Sequence, residues 1–284
     1  MTYDRAAAKV LAISSQVVYG PVGNSAAVPA MQKLGLSVLG LPTVLLSNHP
    51  GHGAPVRQVI AAETMEAMLD RVAGHGWLDG LAAVMTGYFV DAAQVDAAAG
   101  AIARLKEALP GLIYVCDPIL GDDNGDGNSG LYVPEQVARA IGSRLLPMAD
   151  VVTPNRFELA WLAGADVTGP ASAVRPARGL APLCLATSVP LGDDSLATML
   201  IGREETWLVE TRKRARVPHG TGDLLSGLFL AHLLSGRDGR DALAVSLGAV
   251  EAVLDSSEGS DAIDLSALAC PGARLSVRRL EVGA

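Results

Sequence analysis

Apolar β-rich runs alternate with helix-period segments almost to the end of the chain, the pattern of βαβ units around a parallel sheet. Residues 10–14 predict a first strand, followed by a loop over 16–23, and Asn24 is placed to cap a helix running to residue 34. A strand over 37–46, a glycine-rich loop over 47–53 and a helix over 56–72 come next. Residues 81–86 form a wholly apolar strand apart from its last residue. Asp91 is placed to cap a long Ala-rich helix to 109, and residues 112–117 predict a strand ending in Asp-Pro.

Residues 121–130 are polar and glycine-rich, as a mobile lid would be. Pro134 suits the first turn of a helix to 145. A short strand over 151–153 and a short helix over 155–162 follow. Strands are predicted at 183–187, 195–201 and 205–210, the last two antiparallel. Helices over 221–234 and 241–253 precede a final strand over 275–282. No element is predicted over 165–182, a stretch rich in Pro, Gly and Ala. No repeat and no linker divides the chain, so residues 1–284 are expected to form a single α/β domain.

The net charge of −8 changes this picture by exclusion, since such a chain is repelled by nucleic acid and by anionic membranes. Neither is expected as a partner. Cys116, Cys184 and Cys270 are widely spaced and form no CxxC, which predicts buried free thiols in a reducing compartment. No secretory signal and no membrane span is expected, so the predicted location is cytoplasmic.

Several motifs fail on inspection. The GxGxxG over 125–130 leads into Leu-Tyr-Val-Pro rather than into a helix, which removes its use to a dinucleotide. Asp122-x-Asn124-x-Asp126 begins like a calcium loop, but the twelfth position is Val133, which offers no carboxylate. The chain contains no GxxxxGK[ST], no HExxH and no GxSxG.

Three constellations carry chemistry. The strongest is Pro218-His-Gly-Thr-Gly-Asp223, at the mouth of an apolar helix. Gly220 and Gly222 let backbone N–H groups approach a ligand, and the helix start favours an oxyanion. Asp223, in that first turn, can reach a substrate hydroxyl. The alternative is that Thr221 or Asp223 merely caps the helix. The second is Thr153-Pro-Asn155-x-x-Glu158, in which amide and carboxylate can hold the water shell of Mg²⁺ or can form a capping box. The third is Asp117, at the carboxyl end of a strand where ligands of open α/β sheets bind, followed by Asp122. A basic run, Arg212, Lys213, Arg214 and Arg216, offers one candidate for a nucleotide phosphate or simply a solvated face.

In family order the chain also carries Ser15-Gln-Val-Val-Tyr-Gly-Pro-Val-Gly-Asn24, Ser47-Asn-His-Pro-Gly-His-Gly53, Thr86-Gly-Tyr88, Val115-Cys-Asp-Pro-Ile-Leu-Gly-Asp122 and Thr187-Ser188. With Gly220-Thr-Gly-Asp223, these segments resemble the ribokinase-like superfamily and, within it, the pyridoxal kinase family, over nearly the whole chain. The resemblance implies a three-layer α/β/α sandwich with a central, mostly parallel sheet. It also implies phosphorylation of pyridoxal by ATP with Mg²⁺, a monovalent cation such as K⁺, and a homodimer.

Residue by residue, the resemblance implies Asp223 as base and Gly220, Thr221 and Gly222 as anion hole. Asp117 and Glu158 would organise Mg²⁺ largely through water, with Asp122 near the monovalent cation or lid. Asn155, Thr187 and Ser188 would line the nucleotide side, where Asp117, Glu158 and Thr221 also face ATP, with Tyr132 in the lid. Ser15 would bond the pyridine ring, and Val22, Val44, His49 and Tyr88 would wall it. Pro50 stands where the family usually has threonine, and it supplies neither hydroxyl nor N–H. A hydroxymethylpyrimidine kinase would share the GTGD and metal constellations but not the SNH and VVxGxVGN segments. A silent pyridoxal-binding protein would be expected to have lost Asp223, Glu158 or the glycines.

Overall fold

The computed structural model describes residues 8–123, 129–269 and 273–281. Cys270, the centre of the predicted lid, most of the GxGxxG segment and residue 282 of the predicted last strand lie outside them. Ten strands form one sheet in the order β12-β11-β10-β9-β8-β5-β4-β1-β2-β3. The parallel core comprises β1 (Lys9–Tyr19), β2 (Ser37–Asn48), β4 (Leu81–Thr86), β5 (Ile113–Cys116), β8 (Val151–Val152) and β9 (Leu183–Pro190). Antiparallel strands β10 (Ser195–Gly202), β11 (Thr206–Arg212) and β12 (Arg278–Arg279) extend one edge, and β3 (Arg57–Val59) the other.

Both faces are covered. α1 (Asn24–Lys33), α7 (Thr221–Leu234) and α8 (Gly239–Ser256) pack on one side. On the other lie α2 (Ala62–Gly74), α3 (Ala92–Ala108), α4 (Glu135–Ala140), α5 (Arg156–Ala163) and α6 (Pro170–Leu180). A sheet buried on both faces explains why β4 reads as a continuous apolar run, with all six residues buried. The architecture is the expected α/β/α sandwich. Among the described residues no helix is long and apolar enough to cross a membrane. Cys116 and Cys184 are buried free thiols, as expected.

Local differences from the sequence reading have physical causes. β1 continues through the predicted loop to Tyr19, pairing with β2 after a register shift between Ser14 and Gln16. The predicted start of the second helix is instead β3, whose Arg57–Val59 pair with Leu46–Val44. Asn24 caps nothing. Gly23 (φ 56°) occupies the N-cap, and the buried Asn24 amide donates to Ser14 O and Leu41 O, both at 3.2 Å. It ties β1 to β2 beside the register shift. Pro134 stands just before α4 rather than within it, and the helix opens into a wider turn over Ile141–Leu145. α6 starts on Pro170, with Ser172 Oγ accepting from the N–H groups of Thr168 and Gly169 (2.9 and 3.1 Å). That proline and serine were its legible signals.

Candidate active site

The site forms where the carboxyl ends of β1, β5, β8 and β9 meet the N-terminus of α7. α7 is buried on nearly every face, because its apolar residues pack against the sheet, α1 and α8. Gly227 allows the approach to α1, since a Cβ there would lie 3.0 Å from Ala27 O. Gly220 is required twice over. Its φ is +93°, and a Cβ would meet Pro21 O at 2.0 Å. Neither Thr221 nor Asp223 caps the helix: Gly220 holds the N-cap, no side chain bonds it, and Thr221 Oγ1 donates back to Pro218 O (2.9 Å). The amides of Thr221 and Gly222 are therefore left to a ligand. A Cβ on Gly222 would enter open space, so the cradle is clear where an oxyanion would sit.

Three carboxylates converge here. Asp223 accepts from Gly23 N–H and from its own amide, yet burial raises its carboxyl to about 6. Asp117 is buried at the end of β5, and Ser226 Oγ, one turn along α7, donates to its Oδ2 at 2.9 Å. Burial, then the charges of Asp223 and Glu158, push Asp117 well above the ordinary carboxylate range. Glu158 is buried too, and burial raises it to about 7. Among the described residues no ion pair engages any of the three.

Glu158 is held by backbone. Its Oε2 accepts from Asn155 N–H (2.9 Å) while Asn155 Oδ1 accepts from Glu158 N–H (2.9 Å), so the capping box forms. Its Oε1 accepts from Leu120 N–H at 2.7 Å. Ile119, a β-branched residue at φ 37°, turns the chain to present that amide, a conformation costing about 1–3 kcal/mol. Asn155 Nδ2 donates to Gly121 O (2.8 Å), which anchors the hairpin of β6 (Gly121–Asp123) and β7 (Ser129–Leu131), the described ends of the predicted lid. The side chain of Asn155 is thus committed to protein contacts. Asp122 accepts from the Tyr132 hydroxyl and is raised by burial, while Arg156 Nε donates to neighbouring Asp123 at 2.6 Å.

On the acceptor side Ser15, Val22 and Val44 are buried, and His49 and Tyr88 are half-buried. The Ser15 hydroxyl lies against Gly23, the residue whose N–H reaches Asp223. Tyr88 is fixed through its backbone, its N–H donating to Ser14 Oγ (3.0 Å) and its carbonyl accepting from Thr43 Oγ1 (2.7 Å). At the other end, Thr187 N–H donates to Pro154 O (2.9 Å) beyond the last pairing of β8. Ser188, exposed at φ 58°, sits in the register shift between β9 and β10.

Among the described residues no group of three His, Cys, Asp or Glu is disposed to hold a metal unaided. Asp117, Glu158 and Asp122 are therefore not a direct chelating set, and a divalent ion would need water or phosphate oxygens beside them. The buried, unneutralised carboxylates do fit such an ion. In the basic run, Arg214 pairs with Glu251 and Asp255 (2.6 Å each) and Arg216 with Asp261, so both are tied to acids. The sequence reading missed His52, His219 and Ser226. Ser226 lies three residues beyond Asp223 on the same helix face, and that spacing was its signal.

A family model described as phosphomethylpyrimidine kinase matches residues 23–262. Pyridoxal kinase of Rubrobacter xylanophilus is 38% identical over 95% of this chain and 97% of its own length. That of Deinococcus radiodurans is 35% identical over 87% and 86%. Among solved structures, pyridoxal kinase from Entamoeba histolytica superposes with a TM-score of 0.89 at 22% identity, covering 96% of this chain and 99% of that one. Leishmania donovani pyridoxal kinase in complex with ADP and pyridoxamine gives 0.87 at 27% identity with the same coverage.

The crowding of carboxylates makes a stability prediction. A raised folded-state carboxyl keeps its proton while the unfolded chain ionises, so stability is lost as pH rises from about 4 towards 7. Asp117→Asn removes one charge and keeps an acceptor for Ser226. In ligand-free, magnesium-free buffer its melting temperature should match wild type near pH 4 and exceed it by several degrees at pH 8, at about 2–4 °C per kcal/mol. A difference that ignores pH would contradict the electrostatic cause.

Proposed function

Because this chain belongs to the pyridoxal kinase family, we propose that it transfers the γ-phosphoryl group of ATP to the 5′-hydroxymethyl oxygen of pyridoxal, giving pyridoxal 5′-phosphate and ADP. The observation that carries this reading is Asp223, set beside the open amides of α7 and within the field of Asp117. Asp223 takes the proton of the 5′-hydroxyl as that oxygen attacks the γ-phosphorus and the bond to the ADP oxygen breaks. The amides of Gly220, Thr221 and Gly222 receive the equatorial oxygens of the transferring group.

Mg²⁺, when bound, would neutralise the phosphate charge. Asp117 and Glu158 would hold its water shell, Glu158 outward of its two amide bonds, and Asp122 would sit by a monovalent cation such as K⁺. Ser15 would bond the ring nitrogen, and Val22, Val44, His49 and Tyr88 would wall the ring. Thr187 and Ser188 would meet the nucleotide, which Tyr132 would help to cover. Asn155 would serve by fixing Glu158 and Gly121. The whole chain would act as one domain, in the cytoplasm.

The direct test incubates the protein with pyridoxal, ATP and Mg²⁺ and follows pyridoxal 5′-phosphate by absorbance, with ATP, Mg²⁺ or pyridoxal omitted in turn. Product should require all three, and hydroxymethylpyrimidine should be a poorer acceptor. Asp223→Asn should lose about 10²–10⁴-fold in kcat while the Kd for pyridoxal stays near wild type. Turnover close to normal in that variant would remove Asp223 as base.

The extension of β1 and β2 leaves apolar side chains in solvent: Val18 is 89% exposed, Val56 81%, Tyr19 57% and Leu45 41%. This cluster supports a homodimer joined through the β1–β3 end of the sheet. Sedimentation should give a dimer for wild type and a monomer for Val18→Asp/Val56→Asp. A wild-type monomer at micromolar concentration would rule the dimer out.

A further inference from the structure

Three histidines meet at the acceptor side of the cleft. The segment Ser47–Gly53 and the residue before Gly220 come so close that a Cβ on Gly51 would lie 2.5 Å from His219 Nε2. The His219 ring stacks on His49, with centroids 3.9 Å apart and planes at 32°. His52 stands edge-on to both at 6.2 Å, and Tyr19 edge-on to His52 at 5.4 Å. Pro50 starts the tight turn Pro50–His52 that puts His49 and His52 together.

The turn also fixes a tautomer. Gly51 N–H donates to His49 Nδ1 at 3.1 Å, so a neutral His49 carries its proton on Nε2. His49 stays neutral over the working range: burial, then His219 and His52, push it down to about 4. The groups facing the cluster are Arg216, Asp122 and Asp261. Asp122 and Asp261 oppose the fall at His219, which is nevertheless lowered, chiefly by burial. Asp261 lies 3.9 Å from His52 and is already paired with Arg216.

His49 therefore carries a fixed N–H donor on Nε2, and Pro50 has no N–H to donate. On a pyridoxal-type ring the 4-substituent adjoins the carbon bearing the reacting hydroxymethyl group. With the reacting hydroxymethyl group at Asp223, the 4-substituent would lie within reach of residue 219, which directly precedes Gly220, and of the His49 ring stacked on it. An aldehyde oxygen only accepts hydrogen bonds, a hydroxymethyl group can accept or donate, and an ammonium only donates.

We propose that His49, held as an Nε2–H donor by Gly51 and packed by His219, is a specificity-determining residue that admits vitamers with an accepting 4-substituent and rejects the 4-aminomethyl cation. The inference rests on the pyridoxal kinase reading. Wild-type protein should therefore use pyridoxal and pyridoxine with similar kcat/KM and pyridoxamine at least about 10-fold less well, because donor faces donor. His49→Gln, whose amide can donate or accept, should flatten that ranking. His49→Asp, which presents an accepting carboxylate, should invert it. Calorimetric Kd values for the three vitamers without ATP should follow the same order. Should both variants misfold, the wild-type Kd ranking and the ¹⁵N shift of His49 Nδ1, expected as non-protonated nitrogen, still decide. Equal use of pyridoxamine and pyridoxal by wild type, or a protonated Nδ1, would overturn the inference and leave the kinase reading intact. Failure to phosphorylate any vitamer would overturn the kinase reading itself.

Discussion

Much of this site follows from one electrostatic constraint: three carboxylates are kept at the end of a parallel sheet, and among the described residues no ion pair offsets them. Burial raises Asp117, Glu158 and Asp223, and at Asp117 the charges of Asp223 and Glu158 add to it. Backbone amides and one side-chain hydroxyl offset part of that cost. Asn155 and Leu120 serve Glu158, Gly23 serves Asp223, and Ser226 serves Asp117. The N-terminus of α7 contributes a favourable field of about 0.3–1 kcal/mol per nearby charge. The remaining imbalance is what a magnesium nucleotide can relieve, so an acidic chain can still receive a triphosphate.

That arrangement works only if α7 cannot shift. Its end is locked by Gly220 under the Pro21 carbonyl, and its middle by Gly227 against Ala27. The same loop that passes Gly220 reaches Asp223 through Gly23 and shelters Ser15. One short stretch after β1 therefore fixes Gly220, Asp223 and Ser15 together, the proposed phosphoryl cradle, base and acceptor pocket. Asn24, lying directly behind it, fixes the stretch to the sheet.

The alternation of strands and helices and the GTGD turn were legible because each depends on local pattern: buried apolar runs, helical periodicity, glycines at a helix start. Asp117, Asn155 and Glu158 were legible by position at strand ends. What sequence hid was contact over distance. Asn24 looks like a cap because its neighbours do not reveal the two carbonyls waiting on β1 and β2. Residues 57–59 look helical until β2 offers them an edge. His219 gains its meaning only from His49, 170 positions earlier in the chain. Arg214 and Arg216, plausible as phosphate ligands in the linear run, are claimed by acids on α8 and beyond it.

With Asp117, Glu158 and Asp223 all raised, a metal nucleotide binding beside them as proposed would displace protons. Calorimetric titration of the protein with ADP and Mg²⁺ at pH 6.5, repeated in buffers of different ionisation enthalpy, counts those protons. Release of the order of one proton per site, reduced in Asp117→Asn, is the expected result. Binding with no proton exchange, or with uptake, would contradict the account.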